Sequence, residues 1–225
     1  MQPILKIKGL SVVLVGSFNP AIFHPSWFSA NKLIGQQEAD NARIEIVHPD
    51  AAIFTTDWLT VSVDRQRFQV ATIQETHFEL LRDLVLGTFE LLCYTPLLQM
   101  GINRTFHFGL LSNQNFYSLC NGLAPNKKWQ TVLQDPNMAS LVVHGGRKDE
   151  LPGFIGVRVE PSSKVPSGIF IEVNDHYELT NGTNTALSSL RMLELLAKQW
   201  SKSLERSLTI AEKITALESK DASHQ

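Results

Sequence analysis

Residues 101–108, GINRTFHF, alternate in character with a period of two. Ile102, Arg104, Phe106 and Phe108 share one face of an extended strand, and Asn103, Thr105 and His107 share the other. The segments LTVSV, FIGVRVEP and SGIFIEVN alternate in the same way. Strands buried on both faces read as unbroken apolar runs, whereas alternating strands belong to an antiparallel sheet with one face against helices. The expected fold class is therefore α+β, with helices packed on one side of an antiparallel sheet. The polar face carries Trp58, Thr60, Ser62, Asn103, Thr105, His107, Arg158, Glu160, Glu172 and Asn174. Its bland role is solvation, and its functional role is a concave surface for a ligand or peptide.

Around these strands the chain supplies helix signals. SWFSANKLIG reads as a short helix with Ser26 as N-cap and Gly35 as a left-handed terminator. Thr76 and Glu79 have the T-x-x-E spacing of a capping box, followed by the apolar stripe Phe78, Leu81, Leu84, Val85, Phe89 and Leu92, with Pro96 ending the helix. SNQNFYSLC and PNKKWQTVL are helical, and MASLVVHG is a further strand. Earlier, a strand over residues 4–16 runs into the corner SFNPAIFHPSWF, where Pro20 and Pro25 fix φ twice. Phe23, Trp27, Ala30 and Ile34 form the packed face of that corner, and Phe18 and Phe28 fall off it. Two extended segments, ARIEIVHP and AAIFTT, precede a hairpin whose turn is Asp64–Arg67.

Each half thus reads β–α–(two or three β)–α, a pseudo-duplication with halves 1–98 and 99–217 inside one domain, 1–217, and a disordered tail over 218–225. The final helix, from about Thr185 to Leu217, is roughly 50 Å long at its rise per residue. A chain of 225 residues has a compact diameter of roughly 45 Å. Its apolar face, Leu187, Leu190, Leu193, Ala197, Trp200, Leu204, Leu208 and Ala211, is widened by Leu195, Leu196, Ile210 and Ile214. An overhanging apolar end buries itself against a second chain, so Trp200, Leu204, Leu208, Ile210 and Ile214 are the expected self-association surface.

Catalytic and cofactor signals are missing. The chain holds neither a P-loop nor G-x-G-x-x-G, and no G-x-S-x-G elbow. Its seven histidines are scattered, with no pair at helical i, i+4 spacing. No catalytic residue, metal or cofactor is expected. A net charge of −2 gives no drive toward nucleic acid. The N-terminal apolar run is too short for a signal sequence, and nothing approaches a membrane span. Cys93 and Cys120 are expected as buried thiols in a cytoplasmic protein.

Three clusters remain. Residues 144–153, HGGRKDELPG, form a hairpin connection whose Gly145–Gly146 amides, with Arg147, offer an alternative anion cradle. Residues 174–178, NDHYE, are a polar strand end, with Asp175, His176 and Glu178 as an alternative metal set. In GINRTFHF, Arg104 needs a partner on its apolar face, with Glu45 or Asp57 as candidates. Asn103, His107, Arg158 and Glu172 are the candidate ligand-binding residues of the polar face.

FNPAIFHPSWF, VHPDAAIFTTDWLTVSVDRQRF and GINRTFHF together resemble a sporadically distributed group of bacterial proteins that share FNPAIF-x-P-x-WF and G-I-N-R-x-x-H-F segments. The resemblance covers residues 12–108. It implies a bacterial, cytoplasmic α+β protein and carries over no activity or catalytic residue. The expected function is that of a non-enzymatic interaction or assembly protein, self-associating through its last helix and forming a subunit of a larger multiprotein system. A small-ligand or peptide-binding module using the polar face is the alternative.

Overall fold

The computed structural model describes residues 3–179 and 185–217. Strand β1 (Ile4–Gly16) enters the aromatic corner, and two short helices follow, α1 (Pro25–Ala30) and α2 (Gln36–Asp40). A meander of β2 (Arg43–His48), β3 (Ala51–Thr55), β4 (Thr60–Asp64) and β5 (Arg67–Thr72) leads into α3 (Phe78–Leu91). The second half opens with β6 (Leu97–Gly109), α4 (Asn113–Leu123) and α5 (Asn126–Trp129). It closes with a second meander, β7 (Leu141–Gly146), β8 (Gly153–Pro161) and β9 (Gly168–Glu178), and with α6 (Thr185–Thr215).

The nine strands form one sheet in the order β2-β3-β4-β5-β1-β6-β9-β8-β7. Every pairing is antiparallel. The α+β expectation is thereby met, and the order has a further regularity. In each half the first strand lies at the centre, and a meander starts at the sheet's edge and returns to its side. The two halves meet where β1 and β6 pair, with Leu10 opposite Arg104. The divide falls before Leu97, where β6 begins, slightly earlier than the 98/99 boundary read from the sequence.

Alternation decides which side chains the helices cover. Leu10, Val12 and Leu14 of β1, Val61 and Val63 of β4, and Phe68 and Val70 of β5 point to one face. There they meet Phe28 of α1, Leu81, Val85 and Phe89 of α3, and Leu196 and Trp200 of α6. A second cluster joins Phe106 and Phe108 of β6 and Ile169, Ile171 and Val173 of β9 to Leu119 and Cys120 of α4 and Ala211 of α6. Burial pushes the Cys120 thiol up to about 11, so it packs as a small apolar group.

The corner is a packed one. Phe23 lies 5.3 Å from Phe68, Phe28 lies 5.6 Å from Phe54, and Phe18 lies 5.9 Å from Phe89. Phe18 and Phe28, expected off the packed face, are both buried. The N-cap is His24 instead of Ser26, because its Nδ1 accepts from the Ser26 amide at 3.1 Å. The left-handed residue is Lys32, at φ 60°, and Gly35 instead opens α2 at φ −66°. The capping box does not form either. A short 3-10 turn at Glu75–His77 precedes α3, and Glu79 receives the Trp200 indole at 2.8 Å.

Helix α6 is turned relative to the expected stripe. Leu187, Leu190 and Ala197 are exposed, while Met192, Leu193, Leu196, Trp200, Ser203, Ser207 and Ala211 form the buried line. Small residues let the helix lie close on the sheet, and Ser207 meets its hydrogen-bonding need within the helix, donating to Ser203 O at 2.7 Å. Leu204 packs on the first cluster, and Leu208, Ile210 and Ile214 on the second. The wide apolar end that was expected to overhang therefore lies against the chain's own core. Among the described residues no helix is long and apolar enough to cross a membrane. The tail over 218–225 lies outside the described residues.

Candidate functional site

The four residues proposed from the polar face do lie on one side of three neighbouring strands, rung by rung. Asn103 faces Asn174, Thr105 faces Glu172 with Arg158 beyond it, and His107 faces Phe170. Arg158 is engaged by this arrangement. Its Nε and Nη2 donate to Glu172 at 2.9 and 2.5 Å, and Nη1 donates to Glu160 at 3.1 Å. Burial works against the Arg158 charge, but the hydrogen bond and charge of Glu172 outweigh it and raise its pKa.

His107 is 5% exposed, with its ring 5.0 Å from that of Phe170. Its Nδ1 lies 2.8 Å from Ser162 Oγ. That oxygen already accepts from the Lys164 and Val165 amides at 3.2 and 2.9 Å, so its own O–H donates to Nδ1. The imidazole is then neutral with its proton on Nε2. Burial, with the Lys164 charge second, lowers its pKa below the ordinary value. The unfolded chain therefore binds this proton first, and the contribution to stability is full at high pH and falls as pH drops below about 6.5. His107→Gln is expected to flatten that slope in urea unfolding measured between pH 5 and 8; an unchanged slope refutes the assignment.

Asn103 is buried, and the Asn174 Oδ1 beside it is buried without a partner. Gly101 makes room for both amides: a Cβ there would stand 3.0 Å from Asn174 Oδ1 and 3.3 Å from Asn103 Nδ2. Arg104, on the opposite face, does not reach Glu45 or Asp57. Its guanidinium lies 4.8 Å from the Phe78 ring and 5.1 Å from that of Phe106, and its Nε is buried without a partner. Burial lowers its pKa, opposed in part by the charge of Glu75, itself held by Lys8 at 2.8 Å.

A site the sequence does not announce joins the other two clusters. Arg147, directly after β7, turns inward to Asp175 on the helix-covered face of β9, with side-chain exposures of 1% and 0%. Its Nε and Nη2 also donate to Asp149 at 2.9 and 2.7 Å. Arg206 of α6 donates to Asp175 and Asp149, each at 2.8 Å. The Tyr177 hydroxyl donates to Asp175 at 3.0 Å, and the Arg147 guanidinium covers the Tyr177 ring at 3.9 Å.

Two arginines thus balance two aspartates. The hydrogen bond from Arg147 holds the Asp149 carboxyl down at about 2, and burial, with the Asp175 charge, pushes Tyr177 up to about 12. Burial opposes the Arg147 charge, yet Asp149 and Asp175 hold its pKa above the usual arginine value. The hairpin reading of residues 144–153 is the one the structure takes, and the anions beside Arg147 are the chain's own. Asp175 and His176 are consecutive in a strand and face opposite sides, which divides the metal set proposed there. Among the described residues no group of three or more histidine, cysteine or acidic side chains is placed to hold a metal.

The remaining candidate is an edge. β7 ends the sheet, and Val142 and Val143, on opposite faces of it, are 56% and 54% exposed. Neither proline nor lysine interrupts LVVHGG, and its register with β8 is unbroken from Leu141 to Gly146. The segment leading into it also exposes Trp129, Val132 and Leu133. β2, the other edge, carries Arg43, Glu45 and His48, and a register shift interrupts its ladder between Ile44 and Ile46. Charges and bulges are the devices that keep an edge from pairing, and β7 has neither. No family model and no curated protein matches this chain.

Proposed function

We propose that this protein is an assembly component that binds other polypeptide by strand addition at β7. The observation that carries this reading is topological. β5, β4 and β3 of the first half correspond in position to β9, β8 and β7 of the second. In the first half β2 pairs with β3 and covers its edge, with Ala52 and Phe54 fully buried beneath. Among the described residues nothing takes that place beside β7. An added antiparallel strand supplies backbone partners to the open ladder and covers Val142 and Val143.

The last helix supports the interaction reading less than the sequence suggested, because Trp200 is in the core and Leu204, Leu208, Ile210 and Ile214 pack at home. The polar face supports the ligand alternative less as well, since Arg158 and Glu172 neutralise one another across β8 and β9.

Amide hydrogen exchange with a short, blocked Thr-Val repeat peptide, a generic extended strand, tests the reading. With the chain diluted until it sediments as a monomer and the peptide in large excess, exchange of the β7 amides is expected to slow and that of β2 to stay unchanged. Equal protection of both edges, or of neither, overturns it.

A further inference from the structure

We infer that the strand that completes this edge is β7 of a second copy, paired antiparallel about a two-fold axis so that one continuous sheet runs through both protomers. This rests on the strand-addition reading, and three observations on charge and symmetry select the occupant.

The first is charge. A two-fold pairing sets a strand against itself, and like charges directly opposite destabilise a sheet. β7, Leu141–Gly146, holds no Asp, Glu, Lys or Arg. β2, by contrast, holds Arg43, Glu45 and His48.

The second is register. Opposite residues on paired strands share a face, so a two-fold perpendicular to the sheet passes through one residue paired with its own copy. Centring on Val143 sets Val143 on Val143, Val142 on His144 and Leu141 on Gly145, which pairs five of the six residues of the strand. Centring on His144 would oppose two imidazoles and set Leu141 against Arg147, which is already locked to Asp149 and Asp175. Val143 is therefore the residue on the axis.

The third is closure. Pairing β7 of one copy to β2 of the next would be heterologous and would propagate into a filament. The charges and the bulge of β2 oppose that contact, whereas β7 on β7 uses both copies' open edges and stops at two. A six-residue strand pair alone falls short of the roughly 1,200 Å² of a stable interface, so the pairing is a weak one that dilution separates.

Sedimentation of the full chain over a dilution series is the test, with Val143→Lys and Val143→Cys as variants. The parent is expected to be a dimer that dissociates on dilution. Val143→Lys sets two ammonium groups on the axis and is expected to weaken association by roughly tenfold or more. Its circular dichroism, and its unfolding midpoint compared with the parent at concentrations where both are monomeric, should stay those of the parent, since position 143 is exposed within the chain. Val143→Cys is expected to oxidise to a disulfide-linked dimer, because opposed residues of an antiparallel pair lie within disulfide reach. Ile44→Cys on β2, and the parent with Cys93 and Cys120 alone, should not.

A parent that stays monomeric at all concentrations overturns the inference, as does a dimer that survives Val143→Lys unchanged. If the parent is monomeric while the Thr-Val peptide still protects β7, the second copy fails as occupant and strand addition stands. If the peptide also fails, both fall.

Discussion

Asp175→Ala is expected to cost about 3–5 kcal/mol of folding stability, the range for removing one member of a buried ion pair. The reason lies in what is left behind. Asp175 is fully buried and accepts from Arg147, Arg206 and Tyr177 together. Without it, two guanidinium groups share the single carboxylate of Asp149, and the buried cluster carries an unbalanced positive charge. The Tyr177 hydroxyl also loses the acceptor that satisfied it, which adds the desolvation penalty of an orphaned donor. Denaturant unfolding measures the loss.

Replacing Arg147 and Asp175 together by Met and Leu removes both charges, and it is expected to recover part of the stability lost by Asp175→Ala alone. A double variant no better than the single one would mean that packing volume, not charge balance, dominates. The same cluster sets an acid limit. Asp149 is held near 2, below its ordinary 3.8, so its contribution is present above the higher value and lost as pH falls through about 2.

The strands of this cluster were legible in the sequence, and the cluster was not. Period-two alternation depends only on neighbouring residues, so Leu59, Val61 and Val63, or Ile102 and Phe106, announce their face wherever the strand ends up. Arg147 meets Asp175 across 28 residues, and Arg206 meets Asp149 across 57. Such pairings are set by strand order and by how α6 lies on the sheet, and local pattern encodes neither. A charged residue beside Gly-Gly therefore read as an ordinary hairpin.

The order of strands, which makes β7 an edge and gives β2 no counterpart, is long-range for the same reason. Helix α6 misled differently: counting only apolar residues pointed the stripe toward Leu187, Leu190 and Ala197, while the helix buries Ser203 and Ser207. A close approach to β6 and β9 selects small side chains over apolar ones at those positions. Arg104 was rightly placed on the apolar face, but its expected carboxylate was replaced by the rings of Phe78 and Phe106.

Trp200 carries the second large effect. It is 1% exposed, its indole donates to Glu79 at 2.8 Å, and the Arg82 guanidinium lies 5.9 Å from its ring. It therefore fastens α6 to α3 above the first core cluster. Trp200→Ala is expected to cost about 3–5 kcal/mol, as the largest core truncations do. Trp200→Phe keeps most of the apolar contact and gives up the hydrogen bond. Because the Glu79 side chain is 58% exposed and is rehydrated when released, the cost there should be nearer 1 kcal/mol plus the smaller ring's lost packing.

The two variants also separate a core residue from an interface residue, the role its helix suggested in sequence. With Trp200 in the core, Trp200→Phe lowers the unfolding midpoint of the monomer and leaves the dissociation constant of the proposed β7 dimer as it is. With Trp200 in an interface, the dissociation constant would rise and the monomer's midpoint would hold. Sedimentation and denaturant unfolding of the same preparation distinguish the two, and a shift confined to the dissociation constant would move the association surface from β7 back to α6.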